Sequence, residues 1–166
     1  DSQKATLFVR RLPITLAVDK PPTMLDPTQF KRNRVAPDGP LLDEWFCGLA
    51  DRDLEVLVKG GDGGPSKQHL QQAERVLQHV DKLKERAISL LREFMKDQGS
   101  WHLATVDCGV ETERQQCDFL LSLTFEAEGG PWEYTYTYFN VAFVIHERGH
   151  SADRHGRPSK FIVGFH

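Results

Sequence analysis

The stretch with the clearest chemical potential is the five-residue run HERGH, from His146 to His150. It matches H-E-x-x-H, in which two histidines one helical turn apart bind zinc and the glutamate activates the metal-bound water. Under this hypothesis the chain is a zinc-dependent hydrolase that uses His146, Glu147 and His150. His155 or His166 would then complete the ligand set, and zinc would be the cofactor.

The surroundings of HERGH predict a strand and a hairpin loop instead of a helix. The preceding residues, TYTYFNVAFVI, are strongly β-forming, and Gly156 and Pro158 follow soon after. An extended chain would separate His146 from His150 by about 13 Å, too far for one metal ion. We therefore expect the match to be accidental and expect no cofactor. A loop site made by His146, His150 and His155 stays open, because a loop can bring imidazoles together without helical spacing.

An aromatic series lies just before this motif, with Trp132, Tyr134, Tyr136 and Tyr138 at alternate positions. Such a ladder can stack on bases or sugars, which would make the chain a small-ligand or single-stranded nucleic-acid binder. The same pattern is also typical of a sheet face that packs against a helix, because aromatic residues suit strands. The candidate binding residues are Trp132, Tyr134, Tyr136, Tyr138, Arg148, Arg154 and Arg157.

Elsewhere the sequence offers no coherent active site. No G-x-S-x-G pattern is present, and the glycine-rich stretch KGGDGGPSK departs from the phosphate-loop pattern. Cys47 falls among apolar residues, and we found no histidine and acid to pair with it. Cys108 and Cys117 flank a short polar loop between two predicted strands and could face each other. We expect free thiols, because three cysteines are typical of a reducing compartment.

Length and composition limit the possible classes of protein. The chain has 166 residues, 39% hydrophobic and 27% charged, with a formal net charge of -3. We predict one α+β domain over 1–166. The mild acidity argues against nucleic acid as the main partner, and no apolar run approaches the roughly 20 residues of a membrane helix. We expect a cytoplasmic protein, with a secreted or periplasmic one left open because the chain begins at Asp1.

The strongest secondary-structure signal is an amphipathic pattern over residues 66–98. Ser66 suits the N-cap, Gly99 suits the position after the helix, and apolar residues recur at steps of three and four. A helix of about 30 residues would measure roughly 45 Å. We therefore expect a kink, a protruding end, or packing against a partner.

The remaining elements are predicted mainly as strands. In the N-terminal region, 1–65, we predict a β segment over 5–18, a helical turn at Pro27, a solvated loop at 31–34, a short helix over 38–50 and a strand over 54–59. After the long helix, four strands are predicted over 101–110, 117–128, 132–146 and 159–166. These form a four-stranded antiparallel meander in the sheet region 101–166, with a bulge near Tyr138. The fold class is α+β, with the long helix packed on this sheet.

The leading functional hypothesis is a non-catalytic protein-binding domain, for example a bacterial immunity or accessory protein. It rests on the lack of a coherent active site, on the very long helix and on the aromatic strand. The expected partner is another protein or a second copy of the chain, and enzymatic activity is not expected. The zinc hydrolase and the nucleic-acid or small-ligand binder remain the alternatives.

Overall fold

The computed structural model describes residues 24–130, 133–146 and 155–165. Within these ranges the chain forms a mixed α+β fold with one eight-stranded sheet and three α-helices. The strands are β1 (Lys31–Arg34), β2 (Leu41–Leu49), β3 (Leu54–Gly61), β4 (Gly64–Pro65), β5 (Gly99–Cys108), β6 (Phe119–Ala127), β7 (Thr137–Val144) and β8 (Arg157–Phe165). The helices are α1 (Lys67–Gln78), α2 (Val80–Phe94) and α3 (Thr112–Gln115).

The strands follow the order β1-β2-β3-β5-β6-β7-β8 across the sheet, and β4 pairs with the end of β3. Every neighbouring pair is antiparallel except β3 and β5, which run parallel because α1 and α2 cross over between them. The prediction of a purely antiparallel sheet is therefore wrong for this pair. The strands β5 to β8 do pair antiparallel in chain order, but they form part of a larger sheet.

The predicted long helix is divided into α1 and α2 at His79. Ser66 occupies the N-cap position as expected, whereas α2 ends at Phe94, before the predicted end at residue 98. His79 leaves the helical conformation, with φ -118° and ψ 13°. Because a sheet twists, one straight helix of this length could not stay on its face. The break lets α1 pack against β3 and β5, and α2 pack against β8.

The prediction of a short helix over 38–50 is wrong, because most of this segment forms the strand β2. Its apolar residues recur at helical spacing, but in the sheet they alternate between two faces. Trp45 and Cys47 lie beside Val58 and Val56 of β3, on the face that the helices cover, while Phe46 lies on the other face. A strand with apolar residues on both faces has no clear period of two, so its pattern resembles that of a helix.

The charged run KRNR, predicted as a solvated loop, forms the edge strand β1. The Arg32 guanidinium stabilises it, with Nη1 2.7 Å from an Asp62 carboxylate oxygen and Nη2 3.1 Å from that of Asp43. The helical turn predicted at Pro27 is confirmed as a 3-10 helix whose N-cap, Asp26, accepts the Thr28 N–H. The predicted β segment over 5–18 lies outside the described residues.

Buried apolar side chains from both helices and from β3, β5, β6 and β7 form one cluster. Phe119 of β6 and Phe143 of β7 are fully buried, and their rings stack with centroids 4.8 Å apart. Neither α1 nor α2, the long helices of the described ranges, has both the length and the apolar composition that crossing a bilayer requires.

Candidate functional site

HERGH begins just after the end of β7, and the described residues that follow it lead into β8. β7 ends at Val144, His146 is exposed, and residues 147–154 lie outside the described ranges. Two of the three candidate metal ligands, His146 and His155, are therefore described, and His150 is not. Among the described residues, no group of three or more histidine, cysteine or acidic side chains is arranged to hold a metal ion.

Both ends of the β7–β8 connection are held by polar contacts. The Asp118 carboxylate accepts the Ile145 N–H at 2.5 Å, and the Gly156 carbonyl accepts an N–H from the Arg86 guanidinium at 2.6 Å. Gly156 is buried and has a positive φ of 117°. Its Cα faces the stacked rings of Phe119 and Phe143. The connection thus leaves and re-enters the sheet at fixed positions.

A polar groove lies between α1 and these two fixed positions, with a volume of about 570 Å³. We call it the α1 groove. In this groove the Gln72 side-chain amide donates a hydrogen bond to the Asp118 backbone carbonyl at 2.6 Å. Its polar lining includes Gln68, Gln72, Arg75, His79, Asp118 and His155.

Two histidines from distant parts of the sequence touch in the α1 groove. The rings of His79, at the helix break, and His155 have centroids 3.7 Å apart and planes tilted by 39°.

The same distance bears on the zinc hypothesis. Two imidazoles bound to one zinc through nitrogens about 2.0–2.1 Å from the metal would hold their ring centroids about 5 Å apart. At 3.7 Å, the centroids of the tilted His79 and His155 rings are too close together for both rings to bind one metal ion. His155 would have to leave this contact to act as a ligand.

The predicted aromatic ladder is not continuous, because β7 begins at Thr137 and the residues before it form a turn. Tyr134 packs against Phe125, and its hydroxyl donates to the Asp97 carboxylate at 2.5 Å, which raises the pKa of Tyr134 to about 12. Tyr136 is 70% exposed. The irregular pairing in β7 lies between Ala142 and Phe143, not near Tyr138.

Of the other predicted binding residues, Arg157 is described, and it lies away from these tyrosines. Arg157 is exposed at the start of β8, while Tyr138 lies in the first half of β7 opposite Gly164, near the other end of β8. Trp132, Arg148 and Arg154 lie outside the described residues. The ladder was predicted from a period of two, which a turn can share by chance.

Sequence reasoning missed an exposed apolar surface at the end of the sheet. Phe165 is 78% exposed, Phe94 is 65% exposed and Val163 is 39% exposed. Phe94 ends α2 and contacts the Phe161 ring, with centroids 5.0 Å apart. We call these four residues, Phe94, Phe161, Val163 and Phe165, the β8 apolar surface. Single apolar residues on a surface are ordinary, whereas exposed apolar groups that lie together are less common on a protein that has no partner.

The strand next to this surface, β8, lies at the edge of the described sheet. β8 pairs with β7 on one side, and within the described ranges no strand pairs with its other side. The opposite edge of the sheet, β1, carries Lys31, Arg32 and Arg34. Basic residues on an edge strand oppose pairing with another chain. The two edges therefore differ, one being charged and the other apolar.

A buried carboxylate lies on the central strand of the sheet. Asp107 of β5 is only 5% exposed and lies between Leu57 of β3 and Leu120 of β6. Its chain neighbours Val106 and Cys108 belong to the buried cluster beneath the helices. Because side chains alternate along a strand, Asp107 points to the opposite face.

The environment of Asp107 changes its proton affinity. Burial raises the pKa of Asp107 to about 6, although its carboxylate accepts the N–H groups of Val110 at 3.0 Å and Glu111 at 3.2 Å. Neighbouring carboxylates add to the rise. In the sequence, the only signal was an aspartate inside the otherwise apolar run ATVDCGV.

The three cysteines are free thiols, and Cys47 and Cys108 are buried. Burial raises the pKa of the Cys47 and Cys108 thiols, and it raises the pKa of Cys117 to about 11. Thiolates are the reactive form of cysteine. None of the three thiols therefore has the properties of a catalytic nucleophile.

We expect all three thiols to react slowly with Ellman's reagent in the native protein near pH 8. Raised pKa values keep them in the thiol form, and burial limits access for at least two of them. After denaturation, all three should react at the rate of an unfolded cysteine. A fast native phase accounting for one thiol per chain would contradict this expectation.

These features define a class: an α+β protein with a mixed sheet, two helices on one face, a polar groove and one apolar edge. When the chain is compared with known proteins, no protein family model, no curated protein and no solved structure matches it.

Proposed function

We propose that this chain is a non-catalytic protein-binding domain whose interface is the β8 edge, and that its first partner is a second copy of itself. The observation that carries the proposal is the β8 apolar surface beside a strand edge with which no described strand pairs. Main-chain hydrogen bonds between two edge strands would supply affinity, and the exposed apolar side chains would supply buried area.

The charge pattern of β8 favours self-pairing. Its two basic residues, Arg157 and Lys160, lie in its first half, and the rest of the strand is uncharged. In an antiparallel pair of β8 strands centred on Phe161, Arg157 would face Phe165 of the other copy. Lys160 would face Ile162. Like charges directly opposite each other on paired strands are destabilising. This register places no like charges opposite each other.

The same pattern disfavours an open chain of copies in which β8 pairs with β1. Such a contact would bring Arg157 and Lys160 beside Lys31 and Arg34. A twofold β8–β8 contact is closed, because it uses the same surface on both copies. Among the described strands, the basic β1 edges would then lie at the two outer ends. We therefore expect a dimer and not a filament.

Val163→Glu tests this proposal, because it places a charge on the β8 apolar surface. We expect the dimer dissociation constant to rise at least about tenfold, since a desolvated carboxylate would lie in the interface. The measurement is sedimentation velocity from about 1 to 100 μM, a range that covers ordinary dimer affinities. Circular dichroism would confirm that the variant is folded.

Val35→Glu is the matched control. Val35 is also an exposed valine, 65% exposed, and lies in the turn after β1 at the opposite edge. The same change there should leave the dissociation constant unaltered. Wild-type protein that stays monomeric across the range would contradict a second copy as partner. An equal effect of both variants would contradict β8 as the interface.

The two alternative functions, a zinc hydrolase and a nucleic-acid binder, are tested by separate experiments. The zinc hydrolase needs about one zinc per chain, bound by protein purified without nickel or chelators and lost in His146→Ala and His150→Ala. The nucleic-acid binder needs salt-dependent binding of single-stranded oligonucleotides that Tyr136→Ala removes. No described contact brings the residues of either hypothesis together.

A further inference from the structure

Helix α2 lies along β8 and covers only the first half of that strand. The Arg86 guanidinium bonds to the Gly156 carbonyl just before β8, and Phe94, at the end of α2, contacts Phe161 at the middle of β8. The helix and the strand therefore run in the same direction. The second half of β8 extends past the end of α2, and its last residue, Phe165, is exposed.

Pairing of two β8 strands would bring the α2 helix of each copy beside the uncovered half of the other β8. An antiparallel pair of strands has a twofold axis perpendicular to the sheet, so the helices of both copies lie on one face and run antiparallel. Phe161 and Phe165 point to this same face, because side chains alternate along a strand. The half of β8 that α2 covers lies opposite the half that contains Phe165.

The spacing of these elements suits direct contact between the two helices. The buried residues of α2 belong to the same core cluster as Phe139 of β7, and the end of α2 contacts Phe161 of β8. Paired strands lie about 4.8 Å apart, and packed helices lie about 8–10 Å apart. Two α2 helices, each centred between β7 and β8 of its own copy, would lie about 10 Å apart.

The contact between Phe94 and Phe161 also places the centre of the helix pair. Phe161 lies at the centre of the proposed strand pair, and a helical side chain leans toward the N-terminus of its helix, over the preceding turn. The turn before Phe94 contains Leu90. The twofold axis therefore passes near Leu90.

The side of α2 that would face the other copy carries complementary charges. Arg86, Leu90 and Glu93 follow one another at steps of four and three, so they lie on one side of the helix. Lys84, on the opposite side, lines a groove with Leu103 of β5, so the first side faces outward beyond β8. In an antiparallel pair centred near Leu90, the Arg86 side chain of each copy lies opposite Glu93 of the other.

From these contacts we infer that α2 is a second part of the β8 interface and that its partner is the same helix of the second copy. Each α2 covers the exposed half of the other β8, and Arg86 pairs with Glu93 of the other copy on both sides of Leu90. One Arg86 N–H bonds to Gly156, and the guanidinium has further donors for a carboxylate. This inference rests on the proposed β8 dimer.

Glu93→Lys tests the helix contact in the whole chain, by sedimentation velocity. We expect the dimer dissociation constant to rise at least about fivefold at about 20 mM salt, because two attractions become repulsions. The difference from wild type should shrink at about 500 mM salt, where exposed charges are screened. Glu85→Lys is the matched control, with the same charge change at an exposed residue on the solvent-facing side of α2, and should leave the constant unaltered.

Chemical cross-linking measures the proximity of the helices without changing their charges. Ser89 is exposed next to Leu90, so Ser89→Cys chains should be joined into dimers by a short bismaleimide. Asp81→Cys, exposed on the side of Lys84, should not be joined. A dimer that Val163→Glu disrupts, but in which both lysine variants act equally or both cysteine variants cross-link equally, would overturn the helix contact and leave the β8 dimer standing. A wild-type monomer would overturn both.

Discussion

Replacing Gly156 with alanine is expected to lower the free energy of unfolding by about 3 kcal/mol. Gly156 has a φ of 117°, a conformation that is strained for alanine. An added Cβ would also lie 2.8 Å from Cζ of Phe119 and 3.3 Å from Cδ1 of Phe143. Both rings are fully buried and stacked, so neither can move aside without opening the core.

Equilibrium denaturation by urea, followed by tryptophan fluorescence, measures this loss. Gly129→Ala is the matched control, because a Cβ at Gly129 would meet nothing within 4 Å and this glycine has no positive φ. Its effect should stay within about 0.5 kcal/mol. Similar losses in the two variants would show that the position of Gly156 against the phenylalanine pair does not limit stability.

The second large effect concerns Asp107 and pH. Its folded pKa of about 6 exceeds the ordinary value of 3.8, so the folded state binds the proton more tightly than the unfolded state. The stabilisation that this proton provides is fully present below pH 3.8 and is lost as pH rises through about 6. Integrated over that window, a shift of this size corresponds to about 3 kcal/mol.

Asp107→Asn isolates this contribution, because asparagine cannot ionise but can still accept one of the two N–H groups. We expect the wild-type protein to lose about 2.5 kcal/mol relative to Asp107→Asn between pH 4 and pH 7.5, because part of the full loss falls below pH 4. Unfolding free energies measured by urea at several pH values test this. Glu44 is one of the charges that raise the Asp107 pKa, so Glu44→Gln should move the midpoint to lower pH. Parallel pH profiles for wild type and Asp107→Asn would refute the assignment.

The correctly predicted elements are those in which the apolar residues follow a single period, either that of a strand or that of a helix. β3 and β6 alternate between buried and more exposed residues over much of their length, and the apolar residues of α1 and α2 recur at helical steps. The pattern of β2 predicts a helix because both faces of the strand carry apolar residues. The pattern of β1 predicts a loop because its charges obscure strand propensity, and because its pairing with β2 is not visible in the sequence.

The candidate sites were harder to predict because they depend on tertiary contacts. His79 and His155 lie 76 residues apart, and nothing in either local sequence indicates that they touch. The helix break at His79 lies between a helix that packs on β3 and β5 and a helix that packs on β8, and a periodic pattern does not encode this packing. The burial of Asp107 likewise depends on Leu57 and Leu120, which come from strands on either side of it.

The parallel pair β3 and β5 joins two halves of the sheet, β1 to β3 and β5 to β8. Each half consists of antiparallel neighbours joined by short connections, whereas β3 and β5 meet across a separation of 50 residues through four paired positions. Local hairpins close rapidly, and a long loop closes slowly, because more chain entropy must be lost. The joining of β3 to β5 should therefore be the late, rate-limiting event in folding, and amide exchange along Glu55–Val58 should report opening of the whole molecule and not of one half.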